Sequence, residues 1–325
     1  MAHYDVFNGD ADGIIALLQL RFSHPKKDAK LITGVKRDIA LLEKVSFEAG
    51  DSVTVLDISM EKNQRGLLQA IEKGAEVFYV DHHRAGEIPQ SNNLEAHIDL
   101  DAETCTSLIV DKLLGGKYHD WAIAAAYGDN LTATAESLAL QAGYGVEQRA
   151  YLKELGVLIN YNGYGSSVSD LHFDPAELYQ SLSIYPSPFD VQKDKASPYY
   201  ALRSAYEADF SEVRSLDPVY SSDYLTVFEL PDTKASRRVS GVFGNWLANE
   251  APHQAHAVLT RNRDNSYTVS LRAPLDNKQG AGDICAQFST GGGRAAAAGI
   301  NALQESQLQE FINKVEHFYK ACSSS

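Results

Sequence analysis

Val77-Phe78-Tyr79-Val80-Asp81-His82-His83 is an apolar run with strand character that ends in one carboxylate and two imidazoles. Three metal-grade ligands therefore fall at one edge of a sheet. Three other strand-like runs end in carboxylates: Val6-Phe7-Asn8-Gly9-Asp10-Ala11-Asp12, Val53-Thr54-Val55-Leu56-Asp57 and Ile98-Asp99. In open α/β sheets, ligands bind in the crevice outside the carboxyl ends of the strands. One such ending carries little weight; their recurrence, with paired histidines, points to a shared site.

Outward from this stretch, strand candidates at 3–8, 30–35, 52–57, 75–81 and 97–100 alternate with amphipathic segments. Ile14–Phe22, Ile39–Phe47 and Gln64–Ile71 place apolar residues at helical spacing. Such alternation predicts an α/β fold with a parallel sheet covered by helices. Helical runs continue at 104–114, 119–127 and 147–158. From Asn160 to Pro198 the chain turns rich in Tyr, Gly, Ser and Pro, which predicts loops and short helices. Residues 199–215 read as a helix joining two domains. A second β/α unit follows, with a strand at 224–230, a helix at 240–249, strands at 255–261 and 267–272, a glycine-rich turn and a helix at 305–321. The expected division is a first domain over 1–190, a linker over 191–222 and a smaller α/β domain over 223–325, with the functional cleft between the domains. The Ser323-Ser324-Ser325 tail reads as disordered.

The 325 residues are enough for two domains, and 44% hydrophobic with 22% charged residues is an ordinary globular composition. No apolar run approaches the ~18 residues of a membrane span. The start, Met1-Ala2-His3-Tyr4-Asp5, lacks the basic and apolar regions of a signal peptide. Three cysteines (Cys105, Cys285 and Cys322) without a CxxC fit a reduced, cytoplasmic setting. The net charge of −14 argues against a long nucleic-acid track, since duplex affinity rests on phosphate neutralisation by Lys and Arg. Residues 237–294 nevertheless carry seven basic against four acidic residues. That island suits a short phosphate-bearing partner, and equally suits scattered solvated arginines.

Asp10-Ala11-Asp12-Gly13 sits where a strand turns into a helix. Carboxylates at i and i+2 can face two different cations, and Gly13 removes a Cβ clash from the turn. Helix capping would account for Asp12 alone, but not for Asp57 and His82-His83 at other strand ends. Hard carboxylates with one or two imidazoles suit Mn²⁺ or Mg²⁺ better than structural zinc. Further along, Gly291-Gly292-Gly293 expose backbone N–H groups as an anion nest. Ala295–Ala298 reads as a small-residue helix whose N-terminus faces the anion. Arg294 and Arg272 are then phosphate contacts. His172 and tyrosines 161, 164, 179 and 185 are candidates for base stacking, although packing is the commoner role. Arg37 and Arg84 read as solvated, and His97, His119, His253, His256 and His317 as structural. Cys105 lacks a base partner for nucleophilic work.

In order and spacing, these segments resemble the DHH phosphoesterase family, named for its Asp-His-His motif. Asn8-Gly9-Asp10-Ala11-Asp12-Gly13 is similar to its first motif, Leu56-Asp57 to its second and Asp81-His82-His83 to its third. Gly128-Asp129 after Trp121–Tyr127 resembles its fourth. Val269-Ser270-Leu271-Arg272 and Gly291–Gly299 resemble the family's associated C-terminal domain. The resemblance covers about 1–130 and 238–300 and implies two Mn²⁺ ions per site, with Mg²⁺ as the substitute. Asp10 and Asp57 would hold one ion, with Asn8 as a neutral oxygen donor; Asp12, Asp57, His82 and Asp129 would hold the other. His83 would stand beside the scissile phosphate and Asp81 would orient an imidazole. Two such ions can generate a hydroxide and stabilise both oxygens of an in-line displacement.

The chain departs from the family where Val6 replaces a histidine and Asn8 an aspartate, and where Arg294 ends the glycine run in place of histidine. Arginine can still fork a phosphate but cannot transfer a proton. The expectation is an Mn²⁺-dependent phosphodiesterase that cleaves linear dinucleotides or very short oligonucleotides to 5′-mononucleotides. Pyrophosphate, polyphosphate or nucleoside-bisphosphate hydrolysis and a non-catalytic nucleotide sensor are the alternatives. A membrane partner is not expected, and a homodimer is left open.

Overall fold

The apolar runs at 3–7, 52–56 and 76–81 form strands because β-branched and aromatic residues fit a pleat covered on both faces. The computed structural model describes residues 1–323; Ser324 and Ser325, the end of the serine tail, lie outside the described residues. The chain divides into two units at Ala205/Tyr206.

The first unit runs β1 (His3–Phe7), α1 (Ala11–Ser23), β2 (Lys30–Ile32), β3 (Ser52–Leu56), α2 (Gln64–Glu72), β4 (Glu76–Asp81) and β5 (Leu94–Ile98). Helices follow: α3 (Thr106–Leu113), α4 (His119–Gly128), α5 (Thr132–Gln141), α6 (Val146–Asn162), α7 (Pro175–Leu182), α8 (Pro188–Lys193) and α9 (Pro198–Val213). The strands form one parallel sheet in the order β2-β1-β3-β4-β5. Val6, Val55, Val77 and Tyr79 pack on one side against Leu41, Leu42, Met60 and Leu67. Register aligns the strand ends, with Phe7 beside Leu56 and Leu56 beside Val80. Asn8, Asp57 and Asp81 therefore emerge from neighbouring strands.

Two expectations for this unit need correction. The helix predicted over Ile39–Phe47 is a single 3-10 turn, Leu41–Lys44. The Asn63 side chain takes Leu42 N–H and donates to the Ile39 carbonyl, binding backbone groups a helix would have used internally. The last strand is 94–98, and Asp99 beyond it is exposed and accepts from Asp101 N–H. That fourth strand end does not join the others.

The second unit carries β6 (Tyr220–Ser221), β7 (Leu225–Leu230), α10 (Lys234–Glu250), β8 (Ala255–Arg261), β9 (Tyr267–Arg272), α11 (Ala281–Cys285), β10 (Gly291–Gly293), β11 (Ala297–Leu303) and α12 (Leu308–Ser323). Its sheet order is β10-β11-β9-β8-β7-β6, with only β7 and β8 parallel. Leu225, Leu259, Val269 and Ile300 bury one face under Phe311 and Val315. The stretch 191–222, read as a linker with a helix at 199–215, contains α9 (Pro198–Val213), and the division between units falls inside that helix. The Ala295–Ala298 helix does not form. Arg294 N–H donates to the Ala297 carbonyl in a tight turn, and Gly291–Gly293 pairs antiparallel with β11. Alanine's helix propensity gives way there to sheet pairing, because Ala298 and Ile300 pack into the core.

Candidate metal centre

The order β2-β1-β3-β4-β5 reverses direction at β1, and in such sheets the crevice at that switch point is the binding position. β1 delivers Asn8, Asp10 and Asp12 there, β3 delivers Asp57, and β4 delivers Asp81, His82 and His83. Asp129 arrives from the C-terminus of α4. Asp57 adopts a left-handed backbone (φ 58°), uncommon for a residue with a side chain and costly by about 1 kcal/mol or more. Strain of this kind concentrates at functional sites.

Hydrogen bonds fix each side chain. His82 Nδ1 donates to the Thr104 carbonyl (2.9 Å), which turns Nε2 toward the carboxylates as the ring nitrogen a cation could take. That nitrogen lies 3.3 Å from Asp57 Oδ1, 3.7 Å from Asp12 Oδ2 and 4.0 Å from Asp129 Oδ2. His83 Nδ1 donates to Asp81 Oδ1 at 2.7 Å. One ligand atom each from Asp57, His82 and His83 falls within 4.8 Å of the others. Asp12 does not cap its own helix; its two oxygens accept from Thr106 and Ser107 N–H (2.8 and 2.7 Å) at the start of α3. Asp10 caps α1 instead, accepting from Gly13 N–H at 3.0 Å.

The electrostatics are lopsided. Burial, then the charges of Asp12, Asp10, Asp81 and Asp129, push the Asp57 carboxyl well above its ordinary range. For Asp81, burial is outweighed by the His83 charge and hydrogen bond, which hold it below that range. Burial, aided by Asp12 and Asp129, pushes the Cys105 thiol up, away from the thiolate a nucleophile needs. The buried oxygens Asn8 Oδ1 and Asp81 Oδ2 have no hydrogen-bond partner. These features fit a divalent cation. Asp12, Asp57, Asp129 and the His82 lone pair offer three hard oxygens and one imidazole, a donor set for Mn²⁺ or Mg²⁺, and +2 would relieve the repulsion on Asp57.

Reasoning from the sequence missed Lys36. Its ammonium donates to Asp10 Oδ2, donates to Asn160 Oδ1 at 3.2 Å, and lies 3.8 Å from Asp129 Oδ1. Burial lowers its pKa, but Asp10 and then Tyr164 and Asp129 more than offset this, so it stays charged. The one available signal was a lysine four residues beyond a strand, facing an acidic motif across parallel neighbours.

In the second unit, Arg272 is buried at the end of β9. It donates to Asn245 Oδ1 (2.6 Å), Ser270 Oγ (3.0 Å) and the Leu271 and Gly241 carbonyls (3.3 Å each). Among the described residues no carboxylate pairs with it. Arg294 stands in the turn between β10 and β11, beside the three glycines. Among the other candidates, His172 shares a hydrogen bond with Tyr161 (2.9 Å), His119 with Asp111 (2.7 Å) and His256 with Thr226 (2.6 Å).

Residues 223–321 match the model of the DHHA1 domain. No match was found among curated proteins. Solved structures with similar folds include a DHH domain described as a member of a family of ribosomal proteins, at 12% identity, 97% and 86% coverage of this chain and that one, and a TM-score of 0.59. A pGpG-specific phosphodiesterase, PggH, from Vibrio cholerae matches at 13% identity with 99% of both chains covered and a TM-score of 0.54. RecJ from Thermus thermophilus in complex with Mn²⁺ matches at 18% identity and a TM-score of 0.53, covering 98% of this chain and 52% of that one. At these identities the likeness shows the fold. Taken with the motifs gathered at one sheet edge, it gives this chain the two-domain fold of the DHH family, with a DHHA1 domain as its second unit.

Proposed function

We propose that the chain is a divalent-metal-dependent phosphodiesterase that hydrolyses short nucleotides, from linear dinucleotides to very short oligonucleotides, to 5′-mononucleotides. The observation that carries this reading is His82 Nε2, placed within 4.0 Å of carboxylate oxygens of Asp12, Asp57 and Asp129, directly beside the Asp81–His83 pair. Asp12, Asp57, His82 and Asp129 would hold the ion, with Mn²⁺ the first choice and Mg²⁺ the second. Bound there, it would polarise a phosphoryl oxygen and acidify a water. The neighbouring structures supply the substrate class only by analogy: the Vibrio enzyme is described as specific for pGpG, and the Thermus one was solved with Mn²⁺.

The chain's own residues account for positioning and proton handling. Asp81 accepts the Nδ1 proton of His83 and so leaves Nε2 to exchange a proton with a phosphate or leaving oxygen. His83 is the more exposed of the two imidazoles, with 28% side-chain exposure against 2% for His82, as a substrate-facing group requires. Asp81 also stabilises the imidazolium that forms when His83 takes a proton. Arg272, a guanidinium bonded to neutral groups, is suited to an anion. The acidic balance of the whole chain disfavours long polymers.

The test is a panel of dinucleotides, longer oligomers, nucleoside 3′,5′-bisphosphate and pyrophosphate, each with Mn²⁺ and with chelator. Mononucleotide release from dinucleotides, lost in chelator, is expected. Intact di- to tetranucleotides under all conditions would refute the proposal, and faster phosphate release from pyrophosphate would move the chain to the polyphosphate class.

A further inference from the structure

We infer that this site takes one divalent cation rather than two, because the Lys36 ammonium stands in the place of the other. The inference rests on the metal-dependent reading above and sharpens it.

The donors divide unevenly. Around His82 Nε2 gather three carboxylates, Asp12, Asp57 and Asp129, all within 4.0 Å. At the Asp10 end the supply is poor. Position 6 is a fully buried valine within the apolar core, and position 8 is a neutral asparagine. Asp10 accepts from Gly13 N–H and, unlike Asp12, whose oxygens accept from neutral amides, it is paired with a full positive charge on Lys36, which also lies 3.8 Å from Asp129 Oδ1. That leaves Asp57, shared with the His82 end, and the Asn8 carbonyl oxygen.

Lys36 is built into this position rather than drifting across it. Its backbone N–H donates to the Gly163 carbonyl at 2.7 Å, and its own carbonyl accepts from Asn8 Nδ2 at 3.4 Å. The loop that carries it lies on the first motif so closely that a Cβ at Gly9 would sit 1.9 Å from the Gly34 carbonyl oxygen. Asn160 Oδ1 takes a second ammonium proton, and the Tyr164 ring lies 5.6 Å from Nζ. A divalent ion bound to Asp10 would have to displace this ammonium or sit against it. Lysine meets the need for positive charge beside Asp10 with a group that never dissociates into solvent. Asn8 fits the same logic, since an aspartate would add a charge that one ammonium could not neutralise.

The test counts ions. Chelator-treated full-length protein is dialysed against excess MnCl₂, bound Mn²⁺ is measured per chain, and the electron paramagnetic resonance spectrum is recorded. The wild type should bind one Mn²⁺ with the spectrum of an isolated ion. Lys36→Met should bind two, with an exchange-coupled spectrum, while Lys36→Arg, which keeps the charge, should stay at one. Two ions in the wild type, or one ion in a folded Lys36→Met, overturns the inference and leaves the metal-dependent reading standing. No bound ion in the wild type overturns that reading as well. If Lys36→Met does not fold, the wild-type count and spectrum decide the matter alone.

Discussion

Asp57 concentrates the tension of the site: a left-handed backbone, full burial and four neighbouring carboxylates. Its carboxyl is raised in the folded state. Its contribution is therefore fully present below the ordinary value of 3.8 and is lost as pH rises through the folded pKa, where burial and then like charge resist ionisation. Asp57→Asn keeps the shape and removes the charge. In chelator, the variant should be more stable than the wild type near neutrality by about 1–3 kcal/mol and should lose most of the decline in stability with rising pH. Urea unfolding between about pH 5 and 8 checks this; equal stabilities throughout would contradict it. The same variant should no longer bind Mn²⁺. Asp81 acts through His83, so Asp81→Asn should lower turnover about 10–100-fold with Mn²⁺ affinity nearly unchanged. Metal counting and turnover on the same preparation separate the two effects, and a parallel loss of Mn²⁺ would mean that Asp81 acts on the metal ligands instead.

At the level of elements, the site depends on how closely α4 approaches α6. A Cβ at Gly156 would lie 1.9 Å from the Ala124 carbonyl oxygen, and one at Gly128 would lie 2.7 Å from the Gly156 carbonyl oxygen. Glycine at both positions lets the helices touch backbone to backbone, which sets where α4 ends and so where Asp129 stands. Gly156→Val should cost about 1–3 kcal/mol through overpacking and should weaken Mn²⁺ binding by moving Asp129. Thermal unfolding and Mn²⁺ titration test the two effects separately, and unchanged affinity would mean that Asp129 is placed by other contacts. The start of α3 is held in a complementary way. Asp12 takes its first two amides, so a proposed metal ligand and a helix cap are one residue.

For the whole molecule, an ion that binds the folded chain alone stabilises it by mass action, about 2.7 kcal/mol at a hundred times Kd. Mn²⁺ at that excess should raise Tm by roughly 4 °C, chelator should reverse the gain, and His82→Ala should abolish it; a Tm indifferent to Mn²⁺ would count against the candidate centre. Much of this molecule is written in local pattern. Apolar runs ended by Asp57 and by Asp81-His82-His83 marked the strands, their parallel sheet and the edge where the candidate ligands sit, because period and composition are carried by neighbouring residues. Local pattern failed where distant groups competed for the backbone. Asn63 unmade the helix at 39–47, and sheet pairing with β9 made a strand of the alanines after Arg294. Asp10 and Asp12 were legible as carboxylates, but which one caps which helix was not, since Asp12 spends its oxygens on residues 94 and 95 positions away. Lys36 was missed for the same reason: its place four residues beyond a strand was legible, but its charge acquires meaning only when parallel pairing of β1 and β2 brings it over Asp10. The sequence alone determined which chemistry was available and at which sheet edge. The tertiary structure decided which charges meet, because Coulomb forces and hydrogen bonds act across a few ångströms of space, whatever the separation along the chain.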